Sequence, residues 1–178
     1  MRVALVVVVL AAGCASGGSA PEPRSTTETR SSPESRPSTE RLYDGLPLEH
    51  WVRQLNDLSE ARSQGAMSAV ASFRAAAVPH LAEALRADAE HVRANASHAL
   101  YEIATKSPKT GGIVPLLLAA LDDGFYGVRF WAVGALGEMR PACPEAEPAL
   151  ERMLKDPAAG IRDSARKRLE ELRREAKK

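Results

Sequence analysis

Apolar and polar positions along this chain follow a helical period and then repeat as a block. Val92-Arg93 is followed by Ala96, Ala99 and Leu100, Val128-Arg129 by Ala132, Ala135 and Leu136, and Ile161-Arg162 by Ala165 and Leu169. The blocks step by 36 and then 33 residues. Apolar residues spaced three and four apart share one face of an α-helix. A second phrase advances at the same steps: Pro79 with Leu81 and Leu85, Pro115 with Leu117 and Leu121, Pro148 with Leu150 and Leu154. Each proline suits the first helical position, where its missing N–H leaves no bond unmade. Two helix types advancing at one period predict a solenoid, an architecture that presents an extended binding surface.

Each predicted unit is a first helix, a tight turn carrying Asp88, Asp122, Asp123 or Asp156, and a second helix starting at the Val-Arg pair. A degenerate unit lies 30 residues earlier, with Trp51 and Leu55 replacing Leu81 and Leu85, and Ala66, Ala69, Val70 and Phe73 replacing Ala96, Ala99, Leu100 and Ile103. The fold class is therefore all-α, an α-solenoid of about four helical pairs between roughly Leu46 and Glu175. The pattern departs from regularity in three places. Lys106 to Gly112 reads as a long connector, and Gly124-Phe125-Tyr126-Gly127 as an insertion before the third unit's second helix. The last helix keeps one apolar stripe, Ala165, Leu169 and Leu172, on an otherwise charged surface, as a terminal cap requires.

Val128-Arg129 with Ala132, Ala135-Leu136-Gly137 and Met139, and Val114-Pro115-Leu116-Leu117 running to Leu121-Asp122-Asp123, resemble the short bacterial HEAT repeats of the PBS-lyase-like type. The resemblance covers about three quarters of the chain. It implies a HEAT-like solenoid with the second helices lining the concave side, and a protein or peptide as partner. Some proteins sharing these repeats belong to bilin lyase complexes, so an enzyme subunit is the alternative it implies. A purely structural envelope protein is a third.

The chain opens differently. Met1-Arg2, the apolar run Val3–Leu10 and the small residues Ala11-Ala12-Gly13 order themselves as an export signal. The apolar run is under half the roughly 20 residues that span a bilayer. Leu10-Ala11-Ala12-Gly13-Cys14 resembles a lipobox, which implies lipidation of Cys14 and anchoring by its acyl chains. The expected division is a lipoprotein signal peptide at 1–13, the lipidated cysteine with a disordered Ser/Thr/Pro-rich linker at 14–41, and the repeat domain at 42–178. The expected location is the bacterial cell envelope, with Ala15 after the cysteine weakly favouring the outer membrane by resemblance to lipoprotein sorting.

Composition narrows the chemistry. A net charge of +1 gives no global argument for nucleic acid. No HExxH, GxSxG or phosphate-cradling glycine loop occurs, and His50, His80, His91 and His98 are scattered, so neither catalysis nor a metal, cofactor or small-molecule substrate is expected. With Cys14 acylated, Cys143 has no partner and reads as structural. Arg62, Arg93, Arg129 and Arg162 are expected to pair with an aspartate of the preceding turn and lock neighbouring units, so that removing Arg129 lowers stability rather than binding.

The candidate binding residues lie where the repeat does not constrain the sequence. On a helical wheel Phe130 falls about 200° from Val128, opposite the core. Equivalent faces offer Met67, His98 and Tyr101, and finally Arg166 and Lys167, giving an expected track along the concavity. The competing reading packs Tyr101 and Phe130 against neighbouring helices. Phe125 and Tyr126, at the tip of the inserted turn, form a second candidate. From Ile161 to Lys178 eight basic residues face four acidic ones, which a solvated cap or an acidic partner would each explain.

Overall fold

The computed structural model describes residues 41–139 and 143–175. The expected signal, Cys14, and all but the last residue of the linker lie outside them, as does Pro141. The described residues form four helical pairs: α1 (Leu48–Gln54) with α2 (Glu60–Ser72), α3 (Val78–Ala84) with α4 (Glu90–Lys106), α5 (Ile113–Ala120) with α6 (Tyr126–Glu138), and α7 (Ala146–Met153) with α8 (Ala159–Glu175). A short 3-10 turn, Arg74–Ala77, leads into α3. The all-α solenoid expected from the repeat is what forms, including the degenerate first unit.

Small residues set its geometry. Ala66, Ala69, Ala96, Ala99, Ala132, Ala135 and Ala165 are fully buried, so second helices approach closely. Leu55, Leu81, Leu100, Leu117, Leu136 and Leu150 fill the space between the two helix rows. The second helices α2, α4, α6 and α8 pack in series, while the first helices barely meet one another. The second helices are the row expected to line the concave, inner side.

Arginine ladders the later units together. Arg93 makes a forked pair with Asp123 of the following unit, Nε to Oδ2 at 2.8 Å and Nη2 to Oδ1 at 3.1 Å. Its Nη1 donates to the carbonyls of Ala87 and Asp88 in its own turn. Arg129 repeats this with Asp156 at 2.8 and 3.2 Å and with the carbonyls of Asp123 and Gly124. The aspartates also shape the turns: Asp123 Oδ1 accepts the Phe125 amide and Asp156 Oδ1 the Ala158 amide, both at 2.8 Å. Each carboxylate thus ties one helix start to the preceding unit. The sequence expectation is corrected in one respect: the inter-unit partner sits in the following turn, and the preceding turn supplies carbonyls.

The forked bond from Arg93, followed by the Phe125 amide, holds Asp123 below the usual carboxylate range against the opposing effect of burial. Burial acts most strongly on Asp156 and raises its pKa. Its bonds to Arg129 and the Ala158 amide, with the charges of Arg129 and Arg162, outweigh that and leave it lowered too.

The first joint lacks the ladder. Ser63, whose hydroxyl donates to Glu60 O at 3.1 Å, occupies the register position of Arg93, and Ala87 that of Asp123. Arg62 stands one place early, 69% exposed, and reaches only Asp57 of its own unit at 3.1 Å. Its expected equivalence to the other arginines is therefore wrong. Side chains bridge this joint differently: Asn95 Nδ2 donates to Leu55 O at 2.8 Å, His91 contacts Asn56 Oδ1 at 3.1 Å, and Ser68 donates to Glu102 at 2.9 Å.

Two boundary expectations also change. As many residues separate Ala84 from Glu90 as Ala120 from Tyr126, so no insertion precedes α6. The longer second repeat comes instead from α4, which has 17 residues against 13 in α6. Pro79, Pro115 and Pro148 lie at the second or third helical position rather than the first. All remain in the first turn, where amides have no intrahelical acceptor.

Candidate interaction surface

Five rings form a continuous chain across α4 and α6. His98 stacks on Trp131 with centroids 3.7 Å apart and planes 5° from parallel. Tyr101 lies 5.3 Å from the same indole, and Phe130 meets its edge at 5.4 Å. Tyr126 stacks on Phe130 at 5.7 Å. His98, Tyr101, Phe130 and Trp131 are each half-buried, while Tyr126 is 44% exposed. Tyr101 and Phe130 pack against the core, and all five rings keep part of their surface exposed.

Glycine makes the close approach possible. A Cβ on Gly134 would stand 3.2 Å from the Tyr101 ring, so the bare glycine lets the tyrosine pack close against α6. On the far flank a Cβ on Gly160 would meet the Tyr126 hydroxyl at 2.9 Å, which carries the ring chain to the start of α8. Gly137 likewise receives the Arg168 side chain, whose guanidinium pairs with Glu138 at 2.7 Å and Glu171 at 3.2 Å. The face is therefore aromatic over α4–α6 and charged over α8.

Electrostatically the centre of the chain is neutral. Burial between rings pushes the His98 pKa below the ordinary histidine value, with Glu102 opposing it. A neutral imidazole stacks face to face on an indole without the desolvation cost of a cation.

The residues expected to form the track divide. His98, Tyr101 and Phe130 meet in one cluster, and Tyr126 joins them, so the two sequence candidates are largely one surface. Phe125 precedes α6, half-buried against the core, with Gly127 beneath its ring. Met67 leaves the track: it is 4% exposed and belongs to the core, because its register position, shared with buried Ser97 and Val133, faces the next unit. Arg166 is exposed and pairs with Asp163 at 2.7 Å, and Lys167 is exposed beside it. Arg173 turns back to Glu147 at 2.9 Å and to Glu151, so part of the basic C-terminal segment binds its own fold.

The sequence reading missed Trp131, the ring that joins the others. The helical wheel selects residues opposite the core, whereas Trp131 faces the preceding unit, where the second unit carries Asn95. An indole at that register position was the available signal.

Other chemistry is spare. Cys143 is buried; burial first, then Glu145, whose Oε2 accepts from its Sγ at 3.5 Å, push its thiol pKa up, away from reactivity. Among the described residues no cluster of His, Cys, Asp or Glu could hold a metal ion, and no helix is long and apolar enough to cross a membrane.

Comparison with known proteins agrees with the geometry. No curated protein matches the chain. Among solved structures it resembles an engineered protein from a structural genomics consortium, with a TM-score of 0.54 at 20% identity, over 71% of this chain and 62% of that one. It also resembles a designed armadillo repeat protein in complex with the peptide (KR)4, at 25% identity and TM-score 0.48 over 69% of this chain and 63% of that one. A second designed armadillo repeat protein aligns at 27% identity and TM-score 0.47, over 70% and 64%. The first of these shows the fold and nothing further. The family model described as HEAT repeats matches residues 103–170, from the end of α4 to α8, so under half of the chain is similar to HEAT repeats, within an α-solenoid of four stacked helical pairs.

Proposed function

We propose that this protein is a non-enzymatic interaction module whose inner face docks a protein or peptide segment. The observation that carries the reading is the chain of Tyr101, His98, Trp131, Phe130 and Tyr126, held half-exposed across two units. Aromatic anchors on a rigid, curved support are what an interface core needs. The polar residues Gln64 and Ser68 on one side, and Arg166 and Lys167 on the other, would form its rim. The ladder arginines are assigned to stability and not to binding.

The proposal includes a location. Met1-Arg2, the apolar run Val3–Leu10 and the small residues before Cys14 support export and lipid anchoring in a bacterial cell envelope. Tethering raises the local concentration of such a module for partners on the same surface. The repeat phrase around Val128-Arg129 supports assignment to the short PBS-lyase-like type within HEAT repeats. An export signal sits poorly with cytoplasmic bilin attachment.

Peptides selected from a random display library against the full chain test the binding reading. With Tyr101→Ala and Phe130→Ala combined, their affinity is expected to fall at least about tenfold while the helical circular dichroism persists. Equal binding by wild type and variant would remove the inner face from consideration. Incorporation of labelled palmitate, lost in Cys14→Ser, tests the anchor; labelling that survives the substitution rejects it.

A further inference from the structure

The ladder is incomplete at both ends, and the two ends are complementary. Arg162 holds the same place on α8 as Arg93 on α4 and Arg129 on α6. Its Nη1 donates at 2.8 Å to the carbonyls of Asp156 and Pro157, which fixes the guanidinium as in the interior units. Among the described residues no carboxylate hydrogen-bonds it.

At the opposite end Asp57 holds the place of Asp123 and Asp156. Its Oδ1 accepts the Ser59 amide at 2.8 Å, the same turn geometry. No described unit precedes it, and the guanidinium paired with it is that of its own unit's exposed Arg62. Such a surface pair contributes little and is readily exchanged. Asp57 also lines an open hollow of about 400 Å³ with His50, Arg53, Gln54 and Asn56, so it can be reached from outside. Leu58, next to it, is 83% exposed.

We infer that copies of this chain associate head to tail, with Arg162 of one copy closing on Asp57 of the next and continuing the ladder across the junction. Both groups are held by backbone bonds, so little side-chain freedom remains to be lost on pairing. A guanidinium fork matched to a carboxylate also sets the register. Because the two surfaces differ, the contact is heterologous and generates rows or rings rather than closed two-fold dimers. The α8 side of the junction is polar: exposed Arg166 stands where Ser97 and Val133 are buried in the interior units. Association is therefore salt-sensitive. It uses the two ends of the stack and is independent of the aromatic inner face.

Sedimentation velocity on the full chain carrying Cys14→Ser, so that no lipid drives assembly, tests this at low salt. The weight-average sedimentation coefficient is expected to rise with concentration, and added salt to reverse it. Asp57→Arg and Arg162→Glu should each weaken association at least about tenfold. Mixed together, the two variants join through the retained Arg162 of one and Asp57 of the other, and their altered ends carry opposite charges, so the mixture should recover association that neither variant shows alone. A wild-type chain that stays monomeric up to about 1 mM would overturn the proposal. So would variants that associate like wild type, or a mixture that fails to pair. If Arg162→Glu loses its helical circular dichroism, Asp57→Arg against wild type decides alone, since Asp57 lies outside the core.

Discussion

The joint between the first two units and the joints that follow use the same helices to different effect. Between the later units, Arg93 with Asp123 and Arg129 with Asp156 bind largely buried carboxylates whose Oδ1 also shapes the next helix start. Between the first two units Ser63 and Ala87 stand in those places, and hydrogen bonds such as that from Asn95 to Leu55 O bridge instead. Both halves of the ladder are missing together, which fits the physics. An arginine without its aspartate, or the reverse, would leave a partly buried charge uncompensated. The ring chain spans one of the laddered joints, that of Arg93 with Asp123, whose forked pair helps hold the rings at fixed spacing.

The comparison breaks most sharply at Arg129. Arg129→Ala strands Asp156, whose side chain is only 3% exposed, and frees two turn carbonyls. A loss of about 3–5 kcal/mol in urea unfolding is expected. A loss under about 1 kcal/mol would mean that the ladder is ornamental. The converse experiment installs a ladder at the first joint. Ser63→Arg with Ala87→Asp should be more stable than the sum of the single changes by about 1–2 kcal/mol in a double-mutant cycle, and additive singles would refute the register assignment.

Acid gives a smaller effect. Folded His98 resists protonation, whereas unfolded histidine accepts a proton near its ordinary value, so the unfolded state binds more protons and stability falls as pH drops through the ordinary histidine value toward the lowered folded one. The lowered aspartates, Asp123 and Asp156, contribute their loss only further down, as pH falls below the ordinary carboxylate value toward their folded ones. His98→Phe should flatten the upper part of the profile, and an unchanged slope would rule out His98 as its source. Smallest of all, Arg62→Ala should change stability by less than about 0.5 kcal/mol, because its pair with Asp57 is exposed and local.

Much of this fold was legible in the residues because a repeat states its register several times. Leu81, Leu117 and Leu150 each mark the same buried place, and the degenerate unit around Trp51 followed from spacing alone. The ladder's direction was not legible. Spacing puts Arg129 near both Asp123 and Asp156, and only the stacking of units decides that the first offers its carbonyl and the second its carboxylate. Nor was the apparent insertion at Gly124 resolvable, since a repeat of 36 residues does not say whether its excess lies in a turn or in a longer helix. At the candidate surface the wheel found Tyr101 and Phe130, which pack against the edge of the core and keep part of their surface exposed. It missed Trp131, whose role comes from the neighbouring unit, and it misplaced Met67 for the same reason.

The central claim, that the ring chain on the inner face is where a partner docks, can be read from one indole. The chain has two tryptophans, and Trp51 lies far along the stack in α1, so Trp51→Phe leaves Trp131 as the sole reporter. Titrating that variant with a display-selected peptide should shift or quench Trp131 emission in saturable fashion, at the concentration where the peptide binds by an independent assay. Peptide binding that saturates while Trp131 emission stays unchanged would contradict the account.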